Sequence, residues 1–315
     1  SPFYAYITSN PNLTCVEVPT AELSSWKSSN QLSVDNGVAI SDNCTGYRVP
    51  QKEREALIAF YKSTGGGANT SDEGTTWVGT NWDINPSGLS NVGSWQGITT
   101  GLVNGQKHIT SIHLEVYGVE GAIPSEIKDL TELVSLNLGD GRYPNGSCNI
   151  TSLPKEIGML VKLETLYLIN NKLTELPDEI GDLPNLTYLN LSSNELTSLP
   201  AGIGNFAKLE RLIIDSQCTG NCYEGDQTLM VLPNEIGNIT NLKLLNLDSN
   251  GLTSLPSTIG SLSNLEELSI TSNLLTGLPS TIGNLSKLKI ASLSSNKLES
   301  LPEEIGNLSS LEDLD

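Results

Sequence analysis

Histidine and cysteine, the side chains most suited to proton transfer, redox chemistry and soft-metal ligation near neutral pH, are few: two histidines, His108 and His113, and five cysteines among 315 residues. Chemistry of that kind needs set spacings, and the chain does not supply them. It has no GxSxG elbow, HExxH helix, phosphate loop or kinase signature. In "CTGNC", Cys218 and Cys222 are separated by three intervening residues rather than two and no histidine is close, so neither the redox motif nor a zinc site is satisfied. That spacing suits a small loop-closing disulfide, and a second is expected between Cys15 and Cys44. Cys148 is then left over, or pairs with one of the loop cysteines. The acidic phrases "TSDEG" and "SDNC" are too irregular for a calcium loop. No catalytic residue, cofactor or metal is expected.

The remaining chemistry is that of recognition. Aromatic, aliphatic and guanidinium side chains recur at a spacing of 23 residues, Thr165, Tyr188 and Arg211 in one series and Tyr167, Asn190 and Ile213 in a second. A third runs Ile169, Ser192 and Asp215. The series continue through Leu244 and Glu267, through Asn246 and Ser269, and through Asp248 and Thr271. Brought side by side, Tyr167, Ile169, Tyr188, Asn190, Arg211 and Ile213 form one patch with Leu244 at its edge, flanked by Asp215, Asp248 and Glu267. Large rings and a guanidinium bordered by carboxylates are the composition of a protein-binding hot spot. The same rings, with Asn137, Asn190 and Asn246, could also form a platform for sugar rings.

What must align these series is a repeat. "LETLYLINNKLTELPDEIGDLPN" from Leu163 and "LTYLNLSSNELTSLPAGIGNFAK" from Leu186 match at nearly every apolar position. Further units begin at Ile109, Leu133, Leu209, Leu242, Leu265 and Leu288, and "LEDLD" at Leu311 matches the first half of another, so the array is expected to continue past Asp315. In each unit the apolar pair typified by Leu166 and Leu168 alternates with outward residues, the period of a short strand with one buried face. An inward Asn follows at 171, 194, 250, 273 and 296, placed to bond the backbone groups that the turn releases. Then "LTELPDEIGDL" sends Leu173, Leu176, Ile180 and Leu183 inward, with Pro177 opening a short helical or 3-10 segment and Gly181 closing it. This pattern resembles the leucine-rich repeat. The resemblance implies an α/β solenoid, a horseshoe with a parallel concave sheet and short helical or 3-10 segments on its convex side. No unit buries its apolar face without neighbours, so the array stands or falls as a stack.

Two modules precede the array. Residues 51–105 hold "EALIAFYKSTGG", with Ala56, Leu57, Phe60 and Tyr61 at helical spacing before Gly65, and then Trp77, Trp82 and Trp95 as candidate core residues. Together with "NW" at Asn81, "WQGIT", "HITSIHL" and "VEGAIPSEIKDLTEL", this resembles the N-terminal cap and first repeat of secreted bacterial and plant leucine-rich repeat proteins. The plant pattern pairs cysteines in the cap, and here residues 51–105 contain none, which with the "LTxLP" units favours a bacterial member. Residues 1–50 read as a small cysteine-containing module similar to elements of Gram-negative surface proteins, or as the tail of an upstream array. Residues 106–315 are the array, about eight repeats and a partial last one.

Composition narrows the partner. With 17 basic and 36 acidic residues the net charge is −19, and the acid is spread along the chain, which argues against nucleic acid. No apolar run reaches the roughly 18 residues of a membrane span. Two insertions, "GDGRYPNGSCNI" after Leu138 and "DSQCTGNCYEGDQTLM" after Ile214, leave just after their strands and are expected to project from one lateral edge. The expectation is a secreted or cell-surface binding protein, an adhesin or host-factor binder that holds a protein on its concave face, or else a carbohydrate-binding or cell-envelope component.

Overall fold

A computed structural model describes residues 49–65, 92, 95–114, 118–139, 148–219 and 227–315, and the backbone of two short paired strands, β1 (Cys15–Glu17) and β2 (Ala39–Ser41). Helix α1 (Gln51–Ser63) is followed by a hairpin of β3 (Ile98–Val103) and β4 (Gln106–His113). Its turn is Asn104–Gly105 with φ of 51° and 81°, the left-handed pair that a two-residue hairpin needs. Strand β4 then pairs in parallel with β6 (Ser135–Asn137), which begins the stack β8 (Thr165–Tyr167), β9 (Tyr188–Asn190), β10 (Arg211–Ile213), β11 (Leu244–Asn246), β12 (Glu267–Ser269), β13 (Ile290–Ser292) and β14 (Asp313–Leu314). This is a horseshoe with a parallel concave sheet, as the repeat implies. A second, two-stranded parallel sheet pairs β5 (Glu120–Ala122) with β7 (Asn149–Ser152), a feature the repeat pattern does not announce.

Strands β6 and β8 to β13 of the stack are each three residues long because the chain must turn at once to send the next side chain inward. The turn passes through a left-handed residue at Asn170, Ser193, Ser216, Ser249, Ser272 and Ser295, each with φ of 54–59°. Asn and the small Ser tolerate this conformation where bulkier residues do not. The residue after it enters the core. Asn171, Asn194, Asn250 and Asn273 are buried there. Asn194 accepts from the Leu173 amide (3.1 Å) and donates to the carbonyls of Leu168 (2.8 Å) and Leu191 (2.9 Å), so it ties its own repeat to the preceding one.

Two ladder positions carry other residues. Gln217, fully buried, accepts from the Leu196 amide (3.1 Å) and donates to the Leu191 carbonyl (2.8 Å). Cys148 is a buried thiol 3.7 Å from the Leu114 carbonyl, the interaction that Asn171 makes one unit later with Leu138. Its place in the ladder gives this cysteine a structural role.

The convex side is built from 3-10 segments such as Asp178–Asp182 and Ala201–Asn205, each led by a proline with extended backbone. Gly181 lies within its segment rather than closing it. Its neighbour in the stack passes so near that a Cβ on Gly181 would stand 1.7 Å from the Gly202 carbonyl oxygen. Glycine is needed here for room.

The cap is joined to the array by a buried carboxyl group. Ala56, Leu57 and Phe60 of α1 join Val92 and Trp95 in the core that runs on through the array, while Tyr61 is half-buried. Trp77 and Trp82 lie outside the described residues. Glu53, 2% exposed, accepts from the Ile109 amide (2.8 Å) and lies 2.5 Å from His108 Nδ1. Burial raises its carboxyl above the usual carboxylate range, and the Ile109 amide and His108 only partly oppose this. An acid whose folded pKa is raised opposes folding when ionised, so its penalty diminishes as pH falls through that pKa. We therefore expect wild type to gain stability relative to Glu53→Gln as pH falls from neutral towards the ordinary carboxylate range. Amide exchange in α1 at stepped pH measures this, and a difference independent of pH would refute it.

Candidate functional site

The parallel register lays the three outward series into columns. Ser135, Thr165, Tyr188, Arg211, Leu244, Glu267 and Ile290 are successive partners, as are Asn137, Tyr167, Asn190, Ile213, Asn246, Ser269 and Ser292. Alternation on a strand fixes which side chains face out, and in-register pairing sets like positions about 4.8 Å apart. Tyr167 and Tyr188 are diagonal neighbours, paired with Asn190 and Thr165 respectively, and their rings are long enough to reach each other and stack, with centroids 4.8 Å apart and planes inclined by 29°. From the following strand the Arg211 guanidinium lies over the Tyr188 ring, 5.5 Å from its centroid, in cation–π range. Burial pushes the Tyr167 hydroxyl up from its ordinary pKa, and Tyr188 adds to this while Arg211 opposes it. Arg211 is exposed, and Ile169, Ile213 and Leu244 are half-buried around it. The third column cannot carry a side chain at Gly139, where a Cβ would come within 1.8 Å of the Ile169 carbonyl oxygen.

Not every member of the expected patch faces outward. Asn190 is only 7% exposed, and its Oδ1 accepts from the amide (2.9 Å) and hydroxyl (2.6 Å) of Ser192. Its Nδ2 lies 3.5 Å from the Tyr188 hydroxyl. The flanking carboxylates are likewise turned into the sheet's exit turns. Asp215 accepts from the hydroxyls of Ser192 and Ser216, and Asp248 from the Ser269 hydroxyl (2.7 Å) and the Thr271 amide (2.6 Å). Neither reaches Arg211, which makes no ion pair among the described residues. Glu267 stays in the Arg211 column, two strands away.

A charged rail runs along the entry edge of the sheet, one residue before the strands. Lys243 pairs with Glu210 at 2.9 Å and Lys289 with Glu266 at 2.6 Å. The hydrogen bond from Lys289 holds Glu266 below the usual carboxylate range and raises the lysine in return. Both pairs are solvent-exposed, so they set local polarity more than stability. Their sequence signal is the alternation Glu210, Lys243, Glu266, Lys289 and Glu312, visible once the units are aligned.

The other candidates are accounted for structurally or lie elsewhere. His108 serves the cap, and His113 Nε2 lies 3.0 Å from the Ser135 hydroxyl. Among the described residues no group of three or more His, Cys, Asp or Glu could hold a metal ion, and no helix is long and apolar enough to cross a membrane. Cys218 is disulfide-bonded, and its segment returns through a bridge to Gln227. Cys222, Cys44 and the bodies of both insertions lie outside the described residues, and of Cys15 only the backbone is described.

Comparison with known proteins agrees with this architecture. The leucine-rich repeat region family matches residues 114–232 and 220–315. No curated protein matches the chain. Among solved structures, a leucine-rich repeat protein of Leptospira interrogans is 36% identical over 63% of this chain and 52% of its own, with a TM-score of 0.44. PEPR1, solved with AtPEP1, is 25% identical over 83% of this chain and 44% of its own, with a TM-score of 0.50. The Arabidopsis receptor kinase HAESA, solved with the peptide hormone IDA and the co-receptor SERK1, is 27% identical over 70% and 39%, with a TM-score of 0.48. The chain thus spans about half or less of the length of each.

Proposed function

The chain belongs to the leucine-rich repeat family, and from that premise we propose that it is a non-enzymatic binding protein, secreted or displayed at a cell surface, that holds a protein partner on its concave face. The observation that carries this reading is the outward-facing Tyr167–Tyr188–Arg211 stack, with half-buried rings and an exposed guanidinium, bordered by Ile169, Ile213 and Leu244. Rings and a guanidinium held in place before binding lose little entropy on contact, which is what makes such residues anchors. The disulfide-bonded Cys218 supports an oxidising compartment. PEPR1, of similar fold, is known in complex with AtPEP1. An adhesin or host-factor binder is the form of this function we favour. A sugar platform fits less well, because saccharide rings pack on open aromatic faces and here Tyr188 is covered by Tyr167 from one strand and by Arg211 from the next.

The test is a binding screen against extracellular proteins run beside a glycan array. Tyr188→Ala is expected to weaken the protein partner by about 2 kcal/mol. Arg211→Ala should weaken it by about 1 kcal/mol or more, with thermal unfolding nearly unchanged in both. Hits confined to glycans, or protein affinity unchanged in both variants, would overturn this assignment.

A further inference from the structure

Among the described residues Arg211 is a cation without a counter-ion, and the carboxylates Asp215 and Asp248 of the same face are occupied. Asp215 and Asp248 face Ser192, Ser216, Ser269 and the Thr271 amide, as described above. The asparagines of the second column have a fixed polarity. Asn246 Oδ1 accepts the Asp248 amide (2.8 Å) and Asn137 Oδ1 accepts the Gly139 amide (3.2 Å), so both side-chain oxygens are consumed by their own turns. Their Nδ2 groups, which can only donate, have no protein partner among the described residues. Asn246 lies on the strand after Arg211, directly beside Ile213, and Leu244 lies directly beside Arg211. The result is a guanidinium and an amide donor on adjacent strands with two half-buried aliphatic side chains between and beside them. No acceptor within the described residues meets either.

We propose that Arg211 and Asn246, walled by Ile213 and Leu244, form a subsite for a carboxylate presented by the protein partner, whether an Asp or Glu side chain or a chain terminus. The inference rests on the concave-face reading above and names the group that this face selects. Arg211 offers several donors in one plane, pre-oriented by the Tyr188 ring, and the aliphatic walls remove water from the contact, which strengthens a charge-assisted hydrogen bond. Such a subsite would also give specificity within an acidic chain. Most of the −19 surface repels an anionic partner, so a carboxylate is accepted only where Arg211 stands.

The experiment uses the full chain and two displayed peptide libraries, one with internal random segments and one with free random C-termini. Retained peptides are synthesised as found, with Asp or Glu replaced by its amide, and with the C-terminus amidated. The expected result is enrichment of a carboxylate beside an apolar or aromatic residue. Arg211→Gln should then lose about ten-fold or more in affinity, and Asn246→Ala less. The decisive readout is coupling: amidating the peptide carboxylate should cost affinity in wild type and almost none in Arg211→Gln. The library that yields the binders distinguishes a side chain from a terminus. Peptides that need Tyr188 but show no carboxylate preference and no coupling to Arg211 would overturn this subsite and leave the concave-face reading standing. If no retained peptide depends on Tyr188, both are overturned.

Discussion

Alanine at Gly181 is expected to destabilise the protein by about 3 kcal/mol or more, whereas alanine at Gly306 should be neutral or stabilising by a few tenths of a kcal/mol up to about 1. The two glycines occupy the same place in two copies of one unit, Gly306 five copies after Gly181. Around Gly181, a Cβ would stand 1.7 Å from the Gly202 carbonyl oxygen and 3.0 Å from the Asn205 Cβ, and a Cβ on Gly202 would in turn stand 1.9 Å from the Asp178 carbonyl oxygen. Backbone cannot swing aside as a side-chain tip can, so the two 3-10 segments would have to separate, and the core beneath them with it. Around Gly306 nothing lies within 4 Å. Neither position has a left-handed φ, so conformational preference does not explain the difference. Urea unfolding of the two variants decides it: equal losses would show that these glycines are kept for flexibility, and no loss at Gly181 would show that the convex segments can part freely.

That contrast illustrates what was legible in the sequence. The horseshoe was, because its unit is short and copied: the alternation at Leu166 and Leu168, the Asn at 171 and the Pro at 177 recur until no other fold accommodates them. The reason for the glycine was not, since Gly181 sits where a helix could end and its neighbour in space is 21 residues away in the chain. Cys148 and Gln217 escaped the ladder for a related reason. Each adjoins an insertion that breaks the unit spacing, and one looked like a spare thiol and the other like an ordinary loop residue. The left-handed serines were hidden because Ser fits almost any local conformation, whereas Asn104–Gly105 carried a hairpin signal that a reading centred on repeats passes over.

The candidate site was legible as a set of columns and obscure in its polarity. A parallel sheet pairs like positions, so Tyr188 beside Arg211 follows from the unit alignment alone. Alternation, however, says only that a side chain leaves the core. It does not say whether that side chain then bends back to its own turn. Asn190, Asp215 and Asp248 bend back because a three-residue strand leaves turn amides and neighbouring hydroxyls within reach of any short acceptor beside them. Tyr and Arg are too long and too poor in acceptors to do so, and they remain for a partner.

The ladder itself makes the second large prediction. Asn194→Ala is expected to cost about 3–5 kcal/mol, comparable to emptying a core leucine site. Asn194 is 1% exposed, and its loss leaves the Leu173 amide and the Leu168 carbonyl without the partners they have at 3.1 and 2.8 Å, while the Leu191 carbonyl keeps only Gln217. Water cannot replace them at the centre of the stack, and each orphaned group carries its own desolvation penalty. Asn246→Ala is the control, for it removes a half-buried acceptor whose amide partner, Asp248 N, lies next to solvent, and it should cost about 1 kcal/mol or less. Because the amide that loses its acceptor is Leu173 in the repeat before it, exchange should accelerate first at Leu173 and spread along the stack in both directions. A loss at Asn194 no larger than at Asn246 would mean that the turns hold their own geometry, and the buried Asn column would then be a consequence of the fold rather than one of its causes.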